Sequence, residues 1–397
     1  MKIKETVYLD HQATTSVDSH VLAEMIPYFS DSFGNPHSSD HYLGWVSSRA
    51  VEDAAARVAR LIGADADEII FTSGATESNN LALLGLGRRA VGGKRDRVLL
   101  SAIEHKCVLS VGRVLQEQYG FRVDLIPVDS EGFVDLSVLE EMLGEDVLAV
   151  SVMAVNNEIG TIQDIAQVSK LAWSRGAVVH CDAAQAPVAM NLEGIAGQSD
   201  IVSLSAHKMY GPKGIGVVYI SRELQGKVEP LIYGGGQQDG LRSGTLPVPL
   251  CVGMGAAADL LAGDDAEDWR AELHRRRDAF VEKLSGLTWP VELNGPVGHV
   301  RHPGNANIRF VGFSAHDILS ALQPRLAAST GSACTSGIPE PSYVLRAIGL
   351  DSDEAESSIR FSLGFGTSDE DVAEAVGLIE EILAKLSKAK AGALSLS

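Results

Sequence analysis

The stretch IVSLSAHKMYGPKGIGVVYI, residues 201–220, consists of two apolar runs joined by a polar, glycine-containing turn. Ile201–Leu204 and Val217–Ile220 have the length and composition of short buried strands. The first strand would deliver Lys208 to its carboxyl end, where open α/β sheets bind their ligands. A lysine in a partly desolvated site has a lowered pKa and can form a Schiff base, whereas a lysine in an exposed loop would have no such role.

Apolar runs and helical patterns alternate from this stretch back to residue 68. Alternation of this kind predicts an α/β fold with a mostly parallel sheet that is covered on both faces. The predicted strands are Ile69–Thr72, Val98–Ser101, Val123–Ile126, Leu148–Val152, Val178–Cys181, Ile201–Leu204 and Val217–Ile220, and the predicted helices include Thr76–Leu86, Val108–Tyr119 and Ile165–Ser174.

The pattern changes after an acidic, glycine-containing segment at residues 263–268. A mixture of helices and fewer strands predicts a smaller α+β domain in this part of the chain. Its predicted elements are the helices Trp269–Leu284, Ala315–Leu322, Tyr343–Ile348 and Ser368–Leu386 and the strands near Asn307–Val311 and Ile359–Leu363. We therefore predict a large domain over residues 16–262 and a small domain formed by residues 1–15 and 263–397.

Composition narrows the classes of function. The chain has 397 residues, 45% of them hydrophobic, so it can bury a large core, and its formal net charge of −19 argues against binding along nucleic-acid backbones. No run of about 18 apolar residues predicts a membrane helix, and MKIKETVYLD lacks the apolar stretch of a signal peptide. Four scattered cysteines predict neither a disulfide framework nor a structural zinc site, and the histidines show no metal-ligand spacing. We expect a cytoplasmic protein without a bound metal.

Two polar segments follow predicted strands of the large domain. In TSGATESNN, residues 72–80, a helix starts at Ala75 or Thr76, and its free N–H groups would cradle a phosphate; Thr76 with Asn79 would alternatively form a simple helix cap. In VVHCDAAQ, Asp182 ends a strand, where a carboxylate can keep a ring nitrogen protonated, and Gln185 could reach the same ring. The alternative for Asp182 is a cap of the next helix.

Four further residues carry chemistry of their own, each with an ordinary alternative. His105 could stack on an aromatic cofactor or be a loop histidine, and Asn157 could bind a ring or form a turn. Cys334, in STGSACTSG, has the small polar neighbours of a mobile thiolate or is an incidental loop cysteine. Arg360, in SSIRFSLG, would clamp a substrate carboxylate or join a structural ion pair.

Taken together, these segments resemble the cysteine desulfurases of the NifS and IscS type, in the class V aminotransferase group. The resemblance extends over nearly the whole chain and implies the type I fold of pyridoxal-phosphate enzymes. The segments that carry it are YLDHQATT (8–15), GNPHS (34–38), TSGATESNN (72–80), EHK (104–106), NNEIG (156–160), Asp182 with Gln185, SAHKMYGPKGIG (205–216), RSGTLP (242–247), GSACTS (331–336) and IRFSLG (359–364).

The resemblance implies a role for each candidate residue. Lys208 would hold pyridoxal 5′-phosphate as a Schiff base and later move protons, while His105 would stack on the ring and act in acid–base steps. Cys334 would attack the sulfur of L-cysteine and carry a persulfide. The other implied contacts are Asp182 at the ring nitrogen, Gln185 at the phenolic oxygen, Asn157 beside the ring, Ala75, Thr76, Ser205 and His207 at the phosphate, Thr245 at the phosphate in the other subunit of a homodimer, and Arg360 with Asn35 at the substrate.

The implied function is conversion of L-cysteine to L-alanine, with the sulfur passed to an acceptor protein. The sequence does not choose between an iron–sulfur scaffold, an enzyme of tRNA thiolation and one of DNA phosphorothioation. Two alternatives remain: another pyridoxal-phosphate enzyme on the same fold, such as a selenocysteine lyase or an aminotransferase, and a catalytically silent sulfur-carrier subunit. The presence of Lys208, Asp182 and His105 argues against a silent subunit.

Overall fold

The computed structural model describes residues 1–331 and 341–394, with side chains up to residue 391. Its strands are β1 (Lys2–Ile3), β2 (Thr6–Tyr8), β3 (Ile69–Thr72), β4 (Arg97–Ser101), β5 (Arg122–Ile126), β6 (Val147–Ser151), β7 (Val178–Asp182), β8 (Ile201–Ser205), β9 (Gly216–Ile220), β10 (Val291–Leu293), β11 (Asn305–Phe310), β12 (Leu326–Ala327) and β13 (Ser358–Ser362).

The α-helices of the same described residues are α1 (Ser19–Met25), α2 (Pro27–Ser30), α3 (Tyr42–Ile62), α4 (Ala75–Ala90), α5 (Lys106–Tyr119), α6 (Leu136–Met142), α7 (Ile165–Ser174), α8 (Ala186–Ala189), α9 (Arg222–Gln225), α10 (Val248–Ala262), α11 (Ala266–Ser285), α12 (Ala315–Leu322), α13 (Tyr343–Ala347), α14 (Ser352–Glu356) and α15 (Asp369–Leu394). Short 3₁₀ turns include Ala206–Lys208, directly after β8.

The largest sheet has seven strands in the order β3-β9-β8-β7-β6-β4-β5. Strands β8, β7, β6, β4 and β5 are parallel, and β9 pairs antiparallel with both β8 and β3. The predicted, mostly parallel α/β sheet is therefore confirmed, and each of its seven strands lies within one residue of its predicted bounds. Because the parallel strands run in one direction, the polar residues that follow them gather at one edge.

The strands of this sheet are buried on both faces. Side chains alternate along a strand, so Ile69 and Phe71 join one apolar cluster while Ile70 joins the cluster on the opposite face. In β4, Leu99 and Leu100 likewise pack into the clusters on opposite faces of the sheet. Each such side chain stabilises the fold by about 1.5–3 kcal/mol when it is fully buried, which accounts for the near-continuous apolar sequence of these strands.

Helices α3 and α10 pack against each other on one side of this sheet and were not among the helices predicted from the sequence. The α10 sequence, VPLCVGMGAAADLLA, is apolar around nearly its whole circumference because most of it is buried. A helix without a polar face has no amphipathic period that would mark it in the sequence. The α3 helix ends at Gly63, whose φ of +74° is the left-handed conformation of a glycine cap.

The C-terminal part of the chain contains a three-stranded antiparallel sheet, β10-β11-β13, together with α11, α12 and α15. The N-terminal strand β2 pairs with β12, so the first residues return to this part of the molecule. Backbone bridges join Asp10 to Ser362 and Ser329 to Arg360. Within residues 1–331 and 341–394, none of the helices combines the length and apolar character needed to span a bilayer.

Candidate active site

A cavity of about 840 Å³ opens at the carboxyl edge of the parallel strands. It is bordered by the segments that follow β3, β4, β6, β7 and β8, by the segment after β2, and by residues of the C-terminal part. Its lining residues include Asp10, Gln12, Gly74, Ala75, Thr76, Glu77, His105, Cys107, Asn157, Asp182, Gln185, Ser205, His207, Lys208, Lys213, Ser329 and Arg360.

Lys208 lies in this cavity at the end of the 3₁₀ turn that follows β8. Its Nζ donates to the main-chain oxygens of Gln12 and Ala13, at 2.5 Å and 2.8 Å. Burial, and next the nearby Arg360 guanidinium, lower the pKa of Lys208 to about 8 from its ordinary 10.5, although Asp10 and Asp182 oppose the shift. A fraction of this amine is therefore uncharged near neutral pH, as a nucleophilic lysine requires.

Asp182 ends β7 and is almost fully buried. Its Oδ2 accepts a 2.7 Å hydrogen bond from Asn79 Nδ2 of α4, and its Oδ1 accepts from the main-chain N–H of Ala184 at 3.0 Å. Asn79 is therefore a partner of the carboxylate, and the N-cap of α4 is Gly74. The alternative in which Thr76 with Asn79 forms the cap of this helix is wrong, because Gly74 is the N-cap, Thr76 is the second residue of α4, and the Asn79 side chain donates to Asp182.

His105 caps the N-terminus of α5, where its Nδ1 accepts from the main-chain N–H of Cys107 at 3.2 Å. Burial lowers the pKa of His105, against the raising effect of Asp182. The Cys107 sulfur lies 3.0 Å from the same ring nitrogen. Burial, and after it the Asp182 carboxylate, raise the pKa of the Cys107 thiol to about 12, so this thiol is protonated and a weak nucleophile near neutral pH.

The start of α4 forms one wall of the cavity. Gly74 has φ +150°, a conformation that favours glycine, and no side chain in the described part of the chain caps the first N–H groups of the helix. Ala75 and Thr76 line the cavity here, together with Ser205 at the end of β8 and His207 directly after it. Burial, and next Lys208, lower the pKa of His207 to about 4, so the imidazole is neutral at pH 7. Free N–H groups and hydroxyls at a helix start suit a phosphate.

Arg360 enters the cavity from β13. Its Nη1 donates to the main-chain oxygen of Asn157 at 2.9 Å, and its Nη2 donates to Asp10 Oδ1 at 2.7 Å. The Asn157 Oδ1 atom is buried and has no hydrogen-bond partner within residues 1–331 and 341–394. Gln185 is also buried, and its Nε2 donates to the Gln12 main-chain oxygen at 2.9 Å. This wall thus offers a guanidinium and an unused amide oxygen.

Two predicted site residues are not brought into the cavity. Asn35 and Thr245 are exposed in this chain and do not line it. Cys334 lies outside the described residues, so its role stays a prediction. Thr245 belongs to a segment that Arg242 ties to the start of α4, because Arg242 Nε donates to Glu77 Oε1 at 2.8 Å.

Sequence reasoning assigned no role to several residues that border the site. Asp10 and Gln12 lie in YLDHQATT, which was recognised only as part of the resemblance, and Ser329 lies at the start of the Cys334 segment. Asp10 and Ser329 both accept hydrogen bonds from Arg360. Asp10 is far from Arg360 in the sequence, so no local pattern indicates their contact. Asp10 does follow a short apolar run directly, which is the pattern that singled out Asp182.

The sequence model of the family described as aminotransferase class V matches residues 7–374. The chain belongs to the class-V aminotransferase family. Among curated members, it is 45% identical over 386 residues to the cysteine desulfurase IscS of Rickettsia akari (strain Hartford), covering 96% of this chain and 92% of that protein. The resemblance predicted from the motifs is thus confirmed.

Solved structures of similar proteins agree with this family and confirm the type I fold. A NifS-like protein superposes with a TM-score of 0.88 at 34% identity, covering 96% of this chain and 99% of that one. A structure of SspA in complex with cysteine has a TM-score of 0.78, also at 34% identity, covering 90% of this chain and 98% of that one. Pyridoxal phosphate is the cofactor of the class-V family.

The residues that line the cavity fit this cofactor. An amine with a lowered pKa suits its aldehyde, a buried carboxylate suits its ring nitrogen, and the uncapped start of α4 suits its phosphate. The Asn157 Oδ1 atom, which has no partner among the residues that the structure describes, is a further polar atom for a bound molecule. Within the described residues, no group of histidines, cysteines and carboxylates has the arrangement of a metal site.

The lowered pKa of Lys208 predicts how the apoprotein captures pyridoxal phosphate. Only the uncharged amine attacks an aldehyde, so the capture rate should rise with pH and level off above a pH of about 8. Stopped-flow absorbance, recorded from about pH 6 to about pH 10, would follow this capture. A rate that continues to rise through the ordinary pKa of lysine would show that Lys208 is solvated like a surface residue.

Proposed function

We propose that this chain is a pyridoxal-phosphate-dependent cysteine desulfurase, which converts L-cysteine to L-alanine and carries the sulfur as a persulfide on Cys334. The observation that carries the proposal is the single cavity shared by the Lys208 amine, the Asp182 carboxylate and the Arg360 guanidinium. These three groups supply a covalent anchor, an electrostatic partner for a ring nitrogen and a binding group for an amino-acid carboxylate. The identity to curated cysteine desulfurases supports the same reaction.

The proposed cofactor contacts follow the positions described above. Asp182 would hold the ring nitrogen, Gln185 the phenolic oxygen, and His105 and Asn157 the ring. Ala75, Thr76, Ser205 and His207 would hold the phosphate. When bound, pyridoxal phosphate supplies the electron withdrawal that makes the α-carbon of an amino acid acidic.

The protein's own groups bind the substrate and move protons. Arg360 would grip the carboxylate of L-cysteine through paired N–H donors, which fixes the orientation of the α-carbon. Lys208, with a pKa of about 8, can both accept and return a proton near neutral pH. The Cys334 thiolate would attack the substrate sulfur while the bond between that sulfur and the β-carbon breaks; the bonding electrons stay with the carbon skeleton, which takes up a proton on the way to L-alanine. An acceptor thiolate would then attack the outer sulfur of the persulfide and release the Cys334 thiolate.

We also propose a homodimer. Large apolar side chains are exposed around α1, α2 and the start of α3, and the proposed substrate residue Asn35 lies among them in the sequence. Exposed apolar patches of this kind are typical of protein interfaces. The side chains are Leu22, Ile26, Phe29, Phe33, Tyr42 and Trp45, of which Phe33 and Tyr42 are 66% and 70% exposed.

In this dimer, Thr245 would reach the cofactor phosphate of the second subunit. Sedimentation at the mass of one chain would contradict the dimer.

The acceptor, the compartment and the domain division stay predictions. The curated relatives named IscS support delivery of sulfur to iron–sulfur cluster assembly, and tRNA thiolation and DNA phosphorothioation stay open. A cytoplasmic location and a boundary between residues 16–262 and the remainder rest on the sequence alone.

The products of the reaction test the proposed function. With L-cysteine, pyridoxal phosphate and a dithiol, the enzyme should form L-alanine and sulfide in a one-to-one ratio, because each C–S cleavage yields one of each. Amino-acid chromatography and a sulfide assay on the same sample would measure both products. Formation of a keto acid from cysteine without sulfide would instead identify an aminotransferase.

A further inference from the structure

The carboxylate of Asp10 forms an ion pair with the guanidinium of Arg360 inside the active-site cavity. Arg360 Nη2 donates to Asp10 Oδ1 at 2.7 Å and to Ser329 Oγ at 2.9 Å. The Ser329 hydroxyl in turn donates to the same Asp10 oxygen at 3.2 Å. All three side chains line the cavity with Lys208, so this ion pair lies where an amino-acid substrate would bind.

Backbone contacts hold the three residues together. Asp10 forms a bridge to Ser362, two residues after Arg360, and Ser329 forms a bridge to Arg360 itself. The Arg360 N–H donates to the Ser329 main-chain oxygen at 2.7 Å. The contact between Asp10 and Arg360 is therefore a built feature of the fold, which joins the segment after β2 to β13.

The N–H groups of Arg360 that already have partners limit how a substrate carboxylate can bind to the guanidinium. Nη1 gives one N–H to the Asn157 oxygen and retains a second, and Nε is buried without a partner within the described residues. Both N–H groups of Nη2 are committed, one to Asp10 and one to Ser329. A carboxylate binds an arginine through two donors in parallel, either Nη1 with Nη2 or Nε with Nη2. Either arrangement needs Nη2.

We propose that Asp10 is a resident competitor for Arg360, whose carboxylate neutralises the guanidinium until the carboxylate of the amino-acid substrate replaces it. Asp10 therefore sets the affinity of the site for substrate. A buried guanidinium without a counter-charge would be costly, so a resident carboxylate stabilises the empty site and weakens substrate binding by the same contact. This inference rests on the proposed function, in which Arg360 binds the substrate.

The exposure of the two side chains favours displacement of Asp10 over displacement of Arg360. The Arg360 side chain is 5% exposed and is tied to Asn157 and Ser329, whereas the Asp10 side chain is 19% exposed. Solvent that reaches Asp10 can hydrate the carboxylate after it leaves Nη2, and the Ser329 hydroxyl remains within its reach. Substrate binding thus exchanges one carboxylate for another at a fixed guanidinium.

Asp10→Asn in the holoenzyme tests the proposal, with propionate as the probe. Propionate has a carboxylate but no amine, so its binding does not involve Lys208. Asp10→Asn should lower the inhibition constant of propionate, and the KM for L-cysteine, by roughly threefold to tenfold, because a charge-assisted competitor is removed. The inhibition constant would come from steady-state assays, and titration of the cofactor absorbance with propionate would give the same affinity without turnover.

Two further variants separate the possible outcomes. Ser329→Ala removes a neutral partner of Nη2 and should change propionate affinity by less than about twofold. Arg360→Gln should abolish propionate binding; if it does not, the proposed substrate role of Arg360 fails. If Arg360→Gln loses binding while Asp10→Asn binds propionate no better than the unaltered enzyme, or more weakly, Asp10 orients Arg360 and the competitor role is overturned. An equal gain in Ser329→Ala would also overturn it, since charge would not be the cause.

Discussion

Replacement of Lys208 by alanine is expected to abolish both covalent attachment of pyridoxal phosphate and turnover of L-cysteine. The Lys208 amine lies in the cavity with Asp182 and Arg360, and its pKa of about 8 makes it the candidate nucleophile. Its loss also removes the group that would move the substrate's α-proton, and proton transfer by a positioned side chain contributes roughly 10²–10⁴-fold to a rate. We therefore expect activity to fall by at least roughly that factor.

Borohydride reduction followed by peptide mass mapping measures the attachment directly. The unaltered protein should carry the label on the peptide that contains Lys208, and Lys208→Ala should carry none. Lys213→Ala is the matched control, because Lys213 lines the same cavity five residues later and its variant should retain the label on Lys208. A label on another peptide of the unaltered protein would refute the assignment of Lys208 and, with it, the proposed geometry of the site.

Cys334→Ser is expected to stop sulfur release while pyridoxal phosphate remains bound. A serine hydroxyl is not ionised near neutral pH and cannot form a persulfide, whereas a thiolate is a strong nucleophile toward sulfur. Sulfide production should fall by roughly three orders of magnitude or more. The absorbance of the bound cofactor should be unchanged, because every described residue that lines the cavity is retained in this variant.

Cys107→Ser provides the control for a second thiol near the site. Cys107 lines the cavity, and burial raises its pKa to about 12, so it should not carry the transferred sulfur. Its variant should therefore still form a persulfide, which labelling with an electrophile and mass mapping would place on Cys334. Full turnover by Cys334→Ser in the presence of a dithiol would show that Cys334 is not the persulfide carrier.

Much of the central sheet and of the candidate site could be predicted from local patterns. Ile201–Ser205 and Ile69–Thr72 are short apolar runs bounded by polar turns, and buried parallel strands produce that pattern directly. Asp182 and Lys208 stand at the ends of such runs, so their meeting at one sheet edge followed from the parallel topology. By contrast, α10 was missed because this mostly buried, mostly apolar helix lacks a clear polar face.

Contacts between distant segments could not be predicted in this way. The partners of Arg360 are Asp10, Ser329 and the Asn157 main-chain oxygen, which lie 350, 31 and 203 residues away in the chain. Asn79 illustrates the same limit, since its position near a helix start suggested a cap whereas it binds Asp182, 103 residues away. Periodicity and turn chemistry report only on neighbours within a few residues.

The sequence by itself determined the positions of the seven strands of the central sheet and the residue types at the candidate site, because burial on a pleated sheet and the chemistry of each motif leave local marks in the chain. Its resemblance to known cysteine desulfurases indicated the family. Only the tertiary structure decided which charges meet. It buried the Lys208 amine and placed it near the Arg360 guanidinium, and these two effects lower the pKa of the amine. It also paired Asp10 with the guanidinium that would hold a substrate. Such contacts depend on distance and burial in space, which no local pattern records.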